Sequence, residues 1–355
     1  MKIGIITHHY VKNYGAYLQA YALINRIKQI DNSAEVEIIN KVVHKHYWLN
    51  VYRKFKIPKS SEERKKYFDR IRQFKTLTKY EHSIPTSRGF SKEYLEKNYD
   101  KIIIGSDEVW NFLDYSYSPI KFGYGLEKLK VYTYAASAGE VSSSSKIPNH
   151  VKRGIKNLRM IGVRDNNTKY LANRLTDNEC TVVLDPTLIY NYDKELEEVQ
   201  NKNFGSKYIL IYGCKFNNDQ KKVICKFAKE RKLKIIGAGE YKDWYDEAQI
   251  NLTPFEWIKL YINAEVVLTG TFHGLMFSLK YDKNFICLPV FQNRINKTRT
   301  ILEEVNLTNR LIINPDDITG LRKLLDETID YSKIHPILNK RIEESELYLK
   351  EVLKD

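Results

Sequence analysis

Little in the sequence signals secretion, a metal site or a membrane span. Four cysteines in 355 residues (Cys180, Cys214, Cys225, Cys287) are scattered with no paired spacing. A disulfide framework and a structural zinc both need paired or clustered ligands, so the expected state is reduced, mostly buried thiols and no metal. No run of about eighteen consecutive apolar residues occurs, so no segment reads as a membrane-spanning helix. The opening MKIGIIT enters a strand pattern directly, without the basic and apolar regions of a secretory leader, and a cytoplasmic chain is expected. Walker A, HExxH and GxSxG motifs are missing, and GAGE at 237–240 is too short for a Rossmann GxGxxG. There is no helix-turn-helix, zinc-finger or RNP-type motif, so nucleic acid is not an expected partner. No internal repeat or low-complexity segment appears.

What is present is apolar and basic. Hydrophobic residues make up 43% and aromatics 12%, ample for a sizeable core, and the formal net charge is +14. The excess is concentrated: residues 45–79 hold twelve Lys or Arg against three acids, interleaved with Tyr47, Trp48, Tyr52, Phe55, Tyr67, Phe68 and Phe74. Such a segment is either a solvated helical excursion or a surface for an anionic membrane.

Strand and helix patterns alternate along the chain. KIGIIT, AEVEIINKVV, KIIIG, KVYTYAASAG, MIGVRD and CTVVL read as strands in the first half, and YILIYG, LKIIGAG, EVVLTG and NFICLPV in the second. Thr253, Pro254 and Glu256 spell a capping box with proline at the first helical position. The polar stretch at 190–207 is the expected boundary. The predicted architecture is α/β: domain 1–200, with a basic excursion at 45–80 and joined by a C-terminal helix at 336–355, and domain 207–330. Mostly parallel sheets covered on both faces follow from the βαβ alternation, with a cleft between the halves.

In open parallel sheets, ligands sit beyond the carboxyl ends of strands. EVVLTGTFHGLMFSLKY (265–281) puts His273 at such an end, where the TGT amides and a helix N-terminus suit a phosphate. Gly274 would permit close approach of backbone or ligand. The same histidine is equally well read as a helix cap or a satisfied buried group. In KIIIGSDEVWN, Ser106 and Asp107 either cap a following helix or face a ligand, and Trp110 with Asn111 makes a wall of the kind that stacks on sugars. Asn13, Tyr14, Gly15 and Gln19 either face the cleft or build a turn and helix face. Arg164 in VRDNN is an ion-pair partner or an anion ligand. Arg294, Lys297 and Arg299 in NRINKTRT form a solvated basic loop or a second anion contact.

Together, NYGAYLQAYAL, YDKIIIGSDEVWN, YAASAG, VRDNNTKYL, LDPTLI and VVLTGTFHGLMFSLKY occur in the order and spacing of polysaccharide pyruvyl transferase family proteins, which the chain resembles to about residue 310. The resemblance implies a GT-B-like fold of two Rossmann-like domains. It implies transfer of the enolpyruvyl unit of phosphoenolpyruvate onto a sugar hydroxyl pair, giving a pyruvate ketal and free phosphate, with no metal and no cofactor beyond that donor. His273 matches the family histidine at the donor site and Arg164 the arginine of its VR motif. Thr271, Phe272, Gly274, Arg294, Lys297 and Arg299 then complete the donor set. Asn13, Tyr14, Gly15, Gln19, Ser106, Trp110 and Asn111 form the acceptor set, with Asp107 as the acceptor base. One position departs from the pattern: Thr271 stands where many members carry arginine, which removes a fixed cation from a doubly anionic donor. Family acceptors are often lipid-carried glycans at the inner membrane face, which gives residues 45–79 a role worth about 1 kcal/mol per well-placed Lys or Arg. The competing functions are a nucleotide-sugar glycosyltransferase, with Glu240 placed to hold a ribose, and a non-catalytic glycan-binding relative.

Overall fold

KIGII and KIIIG are apolar on both faces of the pleat, so each strand needs cover on both sides, and helix-flanked parallel sheets supply it. In the computed structural model, which describes residues 1–55, 61–142, 144–202, 204–291 and 295–355, these runs form two wholly parallel sheets. The first has β1 (Lys2–Ile6), β2 (Glu35–Ile38), β3 (Lys101–Asp107), β4 (Lys130–Ala136), β5 (Leu158–Val163) and β6 (Cys180–Val182) in the order 2-1-3-4-5-6. The second has β7 (Tyr208–Tyr212), β8 (Lys234–Ala238), β9 (Glu247–Gln249), β10 (Val266–Thr269) and β11 (Asn284–Cys287) in the order 11-10-7-8-9. Ile5 pairs with Ile103 in the first sheet and Leu268 with Ile211 in the second. β9 is a short, half-buried strand that carries no sequence signature.

Strand order reverses direction once in each sheet, between β1 and β3 and between β7 and β10. Such reversals open a crevice at the carboxyl edge, because the connections leave to opposite sides. His8 follows β1, Asp107 ends β3, and His273 follows β10.

The chain divides into two compact units: 1–53, 79–190 and 338–355 form one, and 54–78 with 191–337 the other. The boundary falls at 190/191, the near edge of the polar stretch 190–207 expected to hold it. One expectation is corrected. The basic segment is not a single excursion of the first half, since residues 54–78 cluster with the second unit. The first core gathers Ile104, Trp110, Phe122 and Ile161; the second gathers Ile211, Phe227, Leu268 and Ile286.

The helix His335–Lys354 is held to the first unit by specific bonds. Tyr348 Oη donates to the Thr133 carbonyl at 2.9 Å. The buried Lys101 ammonium donates to the Val352 and Leu353 carbonyls at 2.9 and 2.6 Å, which caps the negative end of the helix. Gly162 makes this docking possible, because a Cβ there would lie 2.7 Å from the Tyr348 ring and 2.9 Å from the Thr133 carbonyl. All four cysteines are free, and all but Cys225 are buried. Among the described residues no helix is long and apolar enough to cross a membrane.

Candidate functional site

Each sheet has one strand-order reversal, and the side chains gathered at the two differ in charge. In the second unit, β10 ends in Thr269, and the turn through Gly270 feeds the helix Phe272–Lys280. Thr271 is the N-cap, its hydroxyl accepting from the Gly274 amide at 3.1 Å. The Thr271 amide in turn donates to Thr269 Oγ1 at 3.2 Å. His273 is half-buried in the first turn of this helix, where backbone amides and the helix dipole favour an anion. Phe272 is buried, and Lys297 carries its Nζ 5.2 Å from the centre of the Phe272 ring. The structure therefore brings His273, Thr271, Phe272 and Lys297 together.

Three details of this set differ from the sequence expectation. Gly274 is required by packing, since a Cβ would lie 2.0 Å from Thr269 Oγ1. Lys297 and Arg299 lie on a helix, Asn296–Glu304, rather than on a loop, with Arg299 exposed. Arg294 lies outside the described residues.

In the first unit most of the expected acceptor set is sealed. Asn13 is exposed and caps the helix Tyr14–Ile30 by accepting from the Ala16 amide, while Tyr14, Gly15 and Gln19 are buried on that helix. Gln19 and Ser106 belong to a closed network: Ser106 Oγ donates to Gln19 Oε1 at 2.6 Å, Gln19 Nε2 to Thr7 Oγ1 at 3.1 Å, and Thr7 Oγ1 to the Ser106 carbonyl at 2.9 Å. These groups pin the end of β1 to the end of β3 and have no surface to offer a ligand. Trp110 is fully buried, stacked on Phe122, with Nε1 donating to the Lys121 carbonyl at 2.8 Å. It is a core residue and not a sugar-stacking wall. No helix follows directly on β3, so Ser106 and Asp107 cap none; turns lead to a short 3-10 segment at Pro119–Phe122.

Arg164 is also inward. Its guanidinium donates to Asp185 at 2.8 Å and to Asp107 at 3.2 Å, with the side chain 1% exposed. Burial works against its charge, but the two carboxylates outweigh burial and raise its pKa. Arg164 is thus a tie between the ends of β3 and β5 and the Asp185 turn, not an open anion clamp. Asp107 is committed to the same tie. It also accepts from the Glu108 amide at 2.9 Å and sits at φ +83°, a left-handed conformation uncommon outside glycine.

The crevice of the first unit has other occupants, which sequence reasoning alone does not reach. His8 is 6% exposed, and its Nε2 has no hydrogen-bond partner. Burial drives its pKa well down, the nearby Lys121 adds to this, and Asp107 opposes it. Lys121 is buried with its Nζ donating to the Ser116 carbonyl at 2.7 Å, and burial pulls its pKa down to about 7 against the pull of Asp114 and Asp107. His46 lies 5.9 Å from His8, ring centre to ring centre, and 3.9 Å from Asp114. The available signal was the HHY loop directly after the first strand, at the carboxyl edge. Lys121 and Asp114 had none. Among the described residues no group of three or more His, Cys, Asp or Glu is placed to hold a metal.

With this geometry in place, comparison with known proteins bears on it. No curated protein matches the chain. Solved structures match it along nearly its whole length at low identity. UDP-GlcNAc 2-epimerase from Neisseria meningitidis bound to UDP-GlcNAc superposes with a TM-score of 0.53 at 10% identity, covering 100% of both chains. Arabidopsis thaliana UGT89C1 complexed with quercetin gives 0.55 at 13%, covering 99% of this chain and 98% of its own. The Methanocaldococcus jannaschii UDP-GlcNAc 2-epimerase in complex with UDP-GlcNAc and UDP gives 0.51 at 13%, covering 96% and 99%. At these identities the likeness concerns the fold, which is GT-B-like with two Rossmann-like units. A model of one protein family, polysaccharide pyruvyl transferase, matches residues 13–290. Because that match spans most of the chain, the protein belongs to the polysaccharide pyruvyl transferase family.

Proposed function

We propose that the protein transfers the pyruvyl group of phosphoenolpyruvate to a sugar of a surface-polysaccharide or lipid-linked glycan precursor, forming a pyruvate ketal. The observation that carries this reading is His273 in the first turn of a helix at the strand-order reversal of the second sheet, with the Lys297 ammonium over the ring of the preceding Phe272. The donor is an anion at both its phosphate and its carboxylate. A helix N-terminus, two threonine hydroxyls and a lysine suit those groups. In this reading His273 protonates the methylene carbon, and a sugar hydroxyl adds to the neighbouring carbon and returns its proton to the His273 imidazole. Phosphate then leaves with the electrons of its C–O bond as a second hydroxyl closes the ring, its proton going to the departing phosphate. An imidazole suits such proton transfer near neutral pH. Lys297 takes up part of the charge that the family arginine supplies where this chain has Thr271. Arg164 contributes by fixing Asp107 and the strand ends rather than by meeting the donor.

We also place the enzyme at an anionic membrane surface through the helix His44–Lys54, where Trp48 and Tyr52, one turn apart, are 63% and 71% exposed. Exposed aromatics with Lys and Arg are the composition of interfacial helices.

The test is incubation with phosphoenolpyruvate and candidate glycan acceptors, read by mass spectrometry and by phosphate release. A ketal-linked pyruvate appearing with equimolar phosphate is the expected result. Thermal stabilisation by UDP- or GDP-sugars and none by phosphoenolpyruvate would replace this reading with a nucleotide-sugar glycosyltransferase.

A further inference from the structure

We propose that Thr269 is a positioning residue for the donor reaction: from the end of β10 its buried hydroxyl braces the cap of the His273 helix, a task that in two other helices of this unit falls to a side chain inside the helix. This rests on reading the helix start as the phosphoenolpyruvate site and names what holds His273 there.

The two other helices show the usual arrangement. Thr253 caps Pro254–Ile262 and Asn217 caps Asn218–Glu230, and in each the third helical residue, Glu256 or Gln220, reaches back to the cap amide. The helix Phe272–Lys280 has Gly274 at that position, with no side chain to reach back, and no acidic residue in its first turn. Its cap amide, that of Thr271, donates instead to Thr269 Oγ1 at 3.2 Å. The Thr271 hydroxyl lies 3.2 Å from the same oxygen. Thr269 Oγ1 in turn donates to the Tyr212 carbonyl at 3.3 Å, with the Thr271 carbonyl farther off at 3.5 Å. One hydroxyl, on a residue only 1% exposed, thus joins the ends of β7 and β10 to the start of the helix.

The packing gives this hub no slack. A Cβ at Gly274 would lie 2.0 Å from Thr269 Oγ1, one at Gly213 2.4 Å from Thr271 Cγ2, and one at Gly270 2.2 Å from the Gly213 carbonyl oxygen. Glycine at all three positions lets the strand ends close around the two threonines.

Charge explains why the brace comes from the strand. A glutamate at the third helical position would add a carboxylate to a turn whose amides and dipole favour an anion. The strand hydroxyl satisfies the cap amide without that charge, and the Thr271 hydroxyl can turn its proton from Thr269 to a bound phosphate. His273 lies two residues past the cap, so a shift of the cap moves the imidazole and the first-turn amides together. A misplacement of about 1 Å can cost about 10²-fold in rate.

The experiment compares Thr269→Val and Thr269→Ser in the full chain, titrated with phosphoenolpyruvate and with inorganic phosphate by phosphorus NMR and assayed for pyruvyl transfer. Thr269→Val keeps the shape and loses the hydroxyl. It should weaken phosphoenolpyruvate binding about tenfold and lower kcat, with the acceptor KM unchanged. Thr269→Ser keeps the hydroxyl and should match wild type in both. A merely structural role would lower the melting temperature of Thr269→Val and leave binding and kcat of its folded fraction as in wild type, which would overturn the proposal. Thr269→Ser as impaired as Thr269→Val would overturn it too. Should Thr269→Val not fold, Thr269→Ala removes the same hydroxyl and is judged by the same outcomes. Wild type binding phosphate but not phosphoenolpyruvate, with phosphate weakened in Thr269→Val, would leave the positioning role standing and remove the donor reading. Phosphoenolpyruvate binding and transfer undiminished in Thr269→Val would do the reverse, and binding of neither anion by wild type would remove both.

Discussion

Lys121 shows how one side chain can carry a pH dependence for the whole fold. Its pKa of about 7 in the folded chain lies below its ordinary value because burial disfavours the ammonium, while Asp114 and Asp107 pull the other way. Between about pH 7 and about pH 10 the unfolded chain therefore binds a proton at this position that the folded chain does not, and stability rises with pH through that window. Lys121→Met removes this contribution. Denaturant melts at about pH 7 and about pH 9.5 should show wild type gaining on the variant as pH rises; a constant difference would mean the ammonium stays charged inside the fold. His273→Ala addresses the chemistry instead. Loss of the general acid should lower turnover by roughly 10²–10⁴-fold with the thermal melt unchanged, since the side chain is half-buried at a helix end and outside the second core. Activity equal to wild type would remove His273 from the mechanism. His273 is legible in sequence because strand, turn, histidine and helix follow within a few residues. His8, His46, Asp114 and Lys121 are far apart in the chain, and only the folding of the sheet brings them together.

Whole elements behaved according to their local chemistry where that chemistry was strong. The capping box of the helix Pro254–Ile262 forms as its residues predict: Thr253 Oγ1 accepts from the Glu256 amide at 3.1 Å, and the Thr253 amide donates to Glu256 Oε2 at 2.7 Å. The segment after β3 carries no such signal, so the helix expected there is replaced by turns. The contact between β5 and the C-terminal helix is an element-scale feature hidden in one residue. Gly162→Ala would drive a methyl into the Tyr348 ring and the Thr133 carbonyl, and overpacking of this kind costs about 1–3 kcal/mol. A urea melt should show that loss. A midpoint equal to wild type would mean that the helix is docked less tightly than the Tyr348–Thr133 bond implies.

At the scale of the molecule, charge and composition matter more than any contact. The chain carries +14, and twelve basic residues fall within 45–79. If that excess serves an anionic bilayer, the protein should co-sediment with vesicles containing anionic lipid at low salt and be released as salt rises. Replacing Trp48 and Tyr52 by serine should weaken binding even at low salt, because interfacial aromatics contribute apart from charge. No sedimentation with anionic vesicles at low salt would end the membrane assignment. The fold class and the two-unit division were legible from alternating strand and helix patterns, because burying both faces of a sheet demands continuous apolar runs. The central strands β1, β3, β4, β7 and β10 carry such runs, whereas the edge strands β2 and β9 do not. The helix expected at 336–355 to return to the first half does so at 338–355, but the placement of residues 54–78 with the second unit was not legible, since a unit is defined by which elements pack together.

By itself, then, the sequence determined the family, the parallel α/β architecture and the helix-terminal histidine of the second unit, because each rests on short local patterns, and on their order along the chain, that can be read without knowing what packs on what. Only the tertiary structure decided that Trp110, Gln19 and Ser106 are interior, that Arg164 is consumed by two carboxylates, and that a buried histidine and lysine lie beneath the first crevice. Burial and ion pairing are set by what strand order brings together. A strand's neighbours across the sheet are separated from it in sequence by whole βαβ units, so no local pattern can specify them.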